Sequence, residues 1–86
     1  MDNDWLEGRI GGFRYEARLA RAPVSYGLNP RSLYKGQGRI TALSLFAPHP
    51  GTSLERRVAR YAGGWIFGRQ HHLALLAKLV SRLDPA

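Results

Sequence analysis

The sequence predicts an α+β fold, an antiparallel sheet of about four strands with a C-terminal helix packed on one face. Three observations predict it. Apolar and polar residues alternate through 13–20, the period of a half-buried strand. Gly11-Gly12 separates that run from a second strand-like run, as a tight hairpin turn requires. Apolar residues recur at helical intervals through 70–83, up to Asp84-Pro85. At 86 residues the chain fits one domain, with residues 1–4 as a flexible tail.

The first two strands are placed at 5–10 and 13–20. A two-residue turn sets Ile10 opposite Phe13, Gly8 opposite Tyr15 and Leu6 opposite Ala17, all on one apolar face. The same register sets Arg9 opposite Arg14 and Glu7 opposite Glu16, like charges facing each other. The diagonals Glu7 with Arg14 and Arg9 with Glu16 offset that repulsion.

Residues 21–38 form a long basic loop with Arg21, Arg31 and Lys35, two tyrosines and several glycines and prolines. Loops above roughly 12–15 residues are uncommon in compact domains unless they serve a function or move. The third strand is placed at 39–46. Its apolar residues Ile40, Leu43, Leu45 and Phe46 mix both faces, the pattern of a central strand covered on both sides.

The segment 52–62 reads two ways. Thr52-Ser53-Leu54-Glu55 has capping-box spacing, and Leu54, Val58 and Tyr61 stand at helical intervals. A strand at 56–61 is the alternative. The helix at 70–83 presents Leu73, Leu75, Leu76, Leu79, Val80 and Leu83 over an arc of roughly 200°. That arc is wider than packing on a small sheet needs. It predicts either deep embedding or a second chain against His72, Leu75 and Leu79.

Composition excludes much chemistry. Without cysteine there is no disulfide framework, thiolate metal site or thiol nucleophile, and the chain fits a cytoplasmic location. The acidic start, Met1-Asp2-Asn3-Asp4, is unlike a signal peptide. Lys78 breaks the longest apolar stretch well short of a membrane span. His71 and His72 diverge by about 100° on a helix, and His49 lies in a proline-rich loop, so no metal site is expected. The carboxylates are scattered and no serine has nucleophile-elbow context, so neither an enzyme nor a cofactor is expected.

Charge points elsewhere. Thirteen Lys and Arg against six Asp and Glu give a net charge of +7, a field that attracts nucleic acid or an acidic protein surface. Two clusters carry the expectation. Lys35-Gly36-Gln37-Gly38-Arg39 is a glycine-rich basic turn whose amides suit an anion. Arg56, Arg57 and Arg60, with Tyr61 and Trp65, combine guanidinium groups and aromatic faces. With Arg31 they make the candidate binding surface Arg31, Lys35, Arg39, Arg56, Arg57 and Arg60.

Four short pieces, Trp5-Leu6-Glu7-Gly8-Arg9-Ile10, Ser25-Tyr26-Gly27-Leu28, Gly38-Arg39-Ile40-Thr41-Ala42-Leu43 and Tyr61-Ala62-Gly63-Gly64-Trp65, share a pattern. It resembles that of a family of small bacterial and phage proteins: Trp-x-x-Gly-x-Ile, Ser-x-Tyr-Gly-Ile, Gly-Arg-Ile-x-x-Leu and Tyr-x-Arg-Gly-Trp. The similarity runs from about residue 5 to 67, with 29–37 as an insertion. Gly63 stands where the family shows Arg, and Ile66 where it tends to show an acid. The resemblance implies a mainly antiparallel β domain with a C-terminal helix and a strand at 56–61. It implies no activity.

The sequence therefore predicts a non-catalytic binding protein of phage or mobile-element type. It docks a basic surface onto nucleic acid, or onto an acidic surface of a host protein as an inhibitor. The alternative is a homodimer or larger assembly built through the apolar helix.

Overall fold

The computed structural model describes residues 5–48, 51 and 54–85. The elements run β1 (Trp5–Ile10), β2 (Phe13–Val24), β3 (Gly38–Pro48), β4 (Glu55–Ala62) and β5 (Trp65–Phe67). A 3-10 turn over Gln70–His72 then leads into α1 (Leu73–Leu83). The strands form one antiparallel meander in the order β1-β2-β3-β4-β5. The expectations for residues 1–4, His49 and the Thr52-Ser53 half of the capping box fall outside the described residues.

The α+β class and the C-terminal helix stand, but the sheet has five strands rather than four. The added strand, Trp65–Phe67, is three residues long and flanked by Gly64 and Gly68, too short to show a period. The hairpin has the predicted register, with Ile10 on Phe13, Gly8 on Tyr15 and Leu6 on Ala17. Gly11 and Gly12, at φ of 56° and 84°, supply the turn.

Residues 55–62 are strand, not helix. Leu45 pairs with Ala59 and Phe46 with Arg57, so Val58 is an extra residue in a bulge. That insertion gives Val58 and Tyr61 a three-residue spacing that imitates a helix. A second bulge, at Thr41 in β3, explains the mixed pattern of Ile40 and Leu43, which both enter the core. The strand β3 is central, yet the helix covers only one of its faces.

The core lies between sheet and helix. Ala17, Leu28, Ile40, Leu45 and Tyr61 from the sheet side meet Leu76, Leu79 and Val80 of α1, all fully buried. Each of the larger aliphatic side chains among them contributes roughly 1.5–3 kcal/mol of burial free energy.

The loop expected at 21–38 is shorter, because β2 runs to Val24 and β3 starts at Gly38. Pro23 fits this end of β2, which extends past β1 and has an irregular ladder. Residues 28–37 fold onto the helix side of the sheet. Leu28 and Leu33 join the core, and Leu28 N–H donates to the Ile40 carbonyl at 2.8 Å. Asn29 Oδ1 accepts from the backbone N–H of Arg31 and Ser32, at 2.8 and 3.1 Å. The Leu33 carbonyl accepts from Trp65 Nε1 at 2.7 Å and Arg69 Nε at 2.9 Å. The Arg69 guanidinium also lies 3.7 Å from the Tyr34 ring centroid. One arginine and one tryptophan thus tie the loop to the sheet.

Candidate binding face

Because successive residues of a strand point to opposite faces, helix packing on one face leaves the other to charged and aromatic side chains. The register sets them in three rows. Arg9, Arg14, Phe46 and Arg57 form the first. Glu7, Glu16, Ser44, Arg60 and Phe67 form the second. Trp5, Arg18, Ala42 and Ala62 form the third. Trp5 and Phe67 remain 53% and 43% exposed on this face.

The first row is organised by Arg14. Its guanidinium reaches Glu16 at 2.7 Å, Glu55 at 2.8 Å and Glu7 at 3.1 Å. It also stacks 4.3 Å from the Phe46 centroid, with Arg57 on the same ring at 5.3 Å. The predicted diagonal Glu7–Arg14 forms; Glu16 turns to Arg14 rather than to Arg9. One arginine thus consumes the three glutamates of the face. Among the described residues, Arg9, Arg18, Arg57 and Arg60 are in no ion pair.

The Arg14 guanidinium holds the Glu55 carboxyl below its usual range, chiefly through their hydrogen bond, and Arg14 is itself raised by Glu55 and Glu16. A carboxyl with a lowered folded pKa stabilises the fold above its unfolded value, about 4.3, and loses that contribution as pH falls through the folded value. Glu55→Gln is therefore expected to lower the urea midpoint at pH 7, and the gap to wild type should narrow as pH falls below the unfolded carboxyl value of about 4.3. A gap that does not depend on pH would show that the pair contributes by packing alone.

The six basic residues expected to form one surface are divided. Arg57 and Arg60 lie on the open face. Arg56, exposed and paired with Ala47, points to the other side of the strand. Arg31 and Lys35 are exposed in the loop on the helix side. Arg39 is bound into the scaffold, since its Nε donates to the Ala20 carbonyl at 2.9 Å and its backbone N–H donates to Asp84 Oδ2 at 3.0 Å. The basic turn at 35–39 is thus built into the junction of β2, β3 and the end of α1.

The residues expected at an oligomer interface are mostly spent inside the domain. Leu79 is fully buried, Leu75 is half-buried beside Gly11, and His72 packs edge-on against Phe13 at 5.6 Å. Arg9, Arg18, Trp5, Phe46 and Phe67 complete the open face and were not among the expected binding residues. The alternation along 13–20 placed Arg14 and Arg18 opposite the core, and the same hairpin register placed Arg9 there. That signal was present in the hairpin, although nothing in 65–67 announced Phe67. Among the described residues, no helix is long and apolar enough to cross a membrane. No family model, no curated protein and no solved structure matches this chain.

Proposed function

We propose that the chain is a non-catalytic binding protein whose open sheet face docks onto single-stranded nucleic acid. One observation carries the reading: on that face Arg9, Arg18, Arg57 and Arg60 are without ion pairs among the described residues and stand among Trp5, Phe46 and Phe67. Arginines without carboxylate partners release counterions when they meet phosphates. Exposed aromatic rings on a sheet, here Trp5 and Phe67, stack on unpaired bases, which a duplex does not offer. An acidic protein surface would satisfy the charges but leave the rings without a flat partner. Assembly through the helix is disfavoured, because Leu76, Leu79 and Val80 are already covered by the protein's own sheet.

Fluorescence anisotropy with labelled single strands, RNA and duplex DNA tests the reading. Four phosphate contacts give a salt slope near 2.8 log units, so single-strand affinity should fall about 50-fold between 50 and 200 mM salt. Duplex should bind more weakly than a single strand of equal charge. Flat traces for every nucleic acid at low salt would sink the reading, and an acidic protein surface would replace it.

A further inference from the structure

At the third row the open face sinks. Ala42 and Ala62 pair across β3 and β4, beside Arg18 of β2, where the other rows carry Phe46 and Arg57 or Ser44 and Arg60. Small side chains on adjoining strands leave a hollow of about 630 Å³, lined also by Ala20, Gly63 and Thr41. Its rim holds Arg18, Arg21 and Tyr26, all exposed. Among the described residues neither arginine is in an ion pair.

The hollow is tied in place from below. Tyr61, fully buried, donates its hydroxyl to the Tyr26 carbonyl at 2.9 Å. Thr41 Oγ1 donates to the Arg18 carbonyl at 3.2 Å, and Gly63 N–H donates to the Thr41 carbonyl at 3.2 Å. Arg18 and Tyr26 are thus held by their backbones while their side chains remain free for a ligand. A flat apolar floor, one aromatic ring and two guanidinium groups match one unit of chemistry: a planar base joined to a phosphate.

We infer that this hollow is the subsite for one unpaired nucleotide of a strand crossing the open face. The base lies on the alanine floor against Tyr26, and its phosphate meets Arg18 and Arg21. The inference rests on the single-strand reading above and adds a defined place for a base. Its volume lies within the range of roughly 300–1,000 Å³ usual for small-molecule sites.

The test compares a short single strand with the same strand carrying abasic sites, which keeps every phosphate and removes bases. Wild type should bind the intact strand more tightly, by roughly fivefold to a hundredfold, the range of one lost base stack. Ala42→Leu with Ala62→Leu fills the floor without touching an arginine, and it should lower intact-strand affinity towards the abasic level, by the roughly fivefold or more of one base stack, with the salt slope unchanged. Tyr26→Ala should do the same, since the hydrogen bond to Tyr61 uses only the Tyr26 backbone. Tyr26→Phe should restore binding. Undiminished affinity in the filled variant overturns the subsite alone; equal affinity of wild type for intact and abasic strands removes base stacking from the whole face, and with it both the subsite and the single-strand reading. No binding of either strand by wild type overturns the subsite and the single-strand reading together.

Discussion

Gly38→Ala is expected to cost about 3 kcal/mol or more, the upper end for inserting a group into a packed site. A Cβ on Gly38 would overlap the carbonyl of Leu28, and one on Gly27 would overlap the carbonyl of Gly38. These are backbone atoms, and they are fixed by hydrogen bonds. Leu28 N–H donates to Ile40 at 2.8 Å, Gly27 N–H to Val24 at 3.0 Å, and Gly36 N–H to Gly27 at 2.7 Å. Relief would require the neck of the 25–37 loop to open and to withdraw Leu28 and Leu33 from the core. An 86-residue domain has roughly 4–13 kcal/mol of total stability, so the loss is large. Gly36→Ala is the contrast. Gly36 has a positive φ of 139° with open space around it, so its cost is confined to backbone strain of about 1–3 kcal/mol. Urea midpoints of both variants check the prediction. Equal midpoints would mean that the neck yields, and that the loop is less firmly seated than its contacts imply.

That neck marks the limit of what the sequence made legible. The hairpin was readable because its register depends on local facts: a two-glycine turn and strict alternation in 13–20. The helix was readable because its apolar period extends over several turns. The strand β4, expected at 56–61 from the resemblance, was not legible in the periodicity, because the bulge at Val58 moves one residue out of step and turns a strand pattern into a helical one. The Thr41 bulge does the same to β3 and made Ile40 and Leu43 look like residues of opposite faces. Bulges are set by pairing with a neighbouring strand, which a single run of residues does not reveal.

The candidate surface failed to assemble for a related reason. Arg56 and Arg57 are neighbours in sequence and for that reason point to opposite faces of the sheet. Arg39 looked like part of an anion-binding turn, and its contacts with Ala20 and Asp84 arise only where β2 and the end of α1 converge. Net charge was legible throughout. Its division between two faces was not, since that depends on which face the helix covers and on Arg14 drawing in all three glutamates.

This division makes the second large effect expected. Arg57→Glu with Arg60→Glu should weaken single-strand binding on the order of 100-fold at low salt, because two attractive contacts become repulsive ones. The salt slope should fall by about 1.4 log units, at 0.7 per lost phosphate contact. Neither residue holds the fold: Arg57 is exposed and lies over the Phe46 ring at 5.3 Å, and Arg60 is exposed opposite Ser44. An unchanged urea midpoint should therefore accompany the loss. Arg31→Glu with Lys35→Glu changes net charge by the same amount on the helix side of the sheet, and it should weaken binding less than about threefold, through the long-range field alone. The pair of variants thus separates a surface from a mere excess of charge. Equal losses in both would mean that only net charge matters and that no face is recognised. A larger loss from the loop pair would move the binding site to the helix side, where Arg31 and Lys35 are exposed.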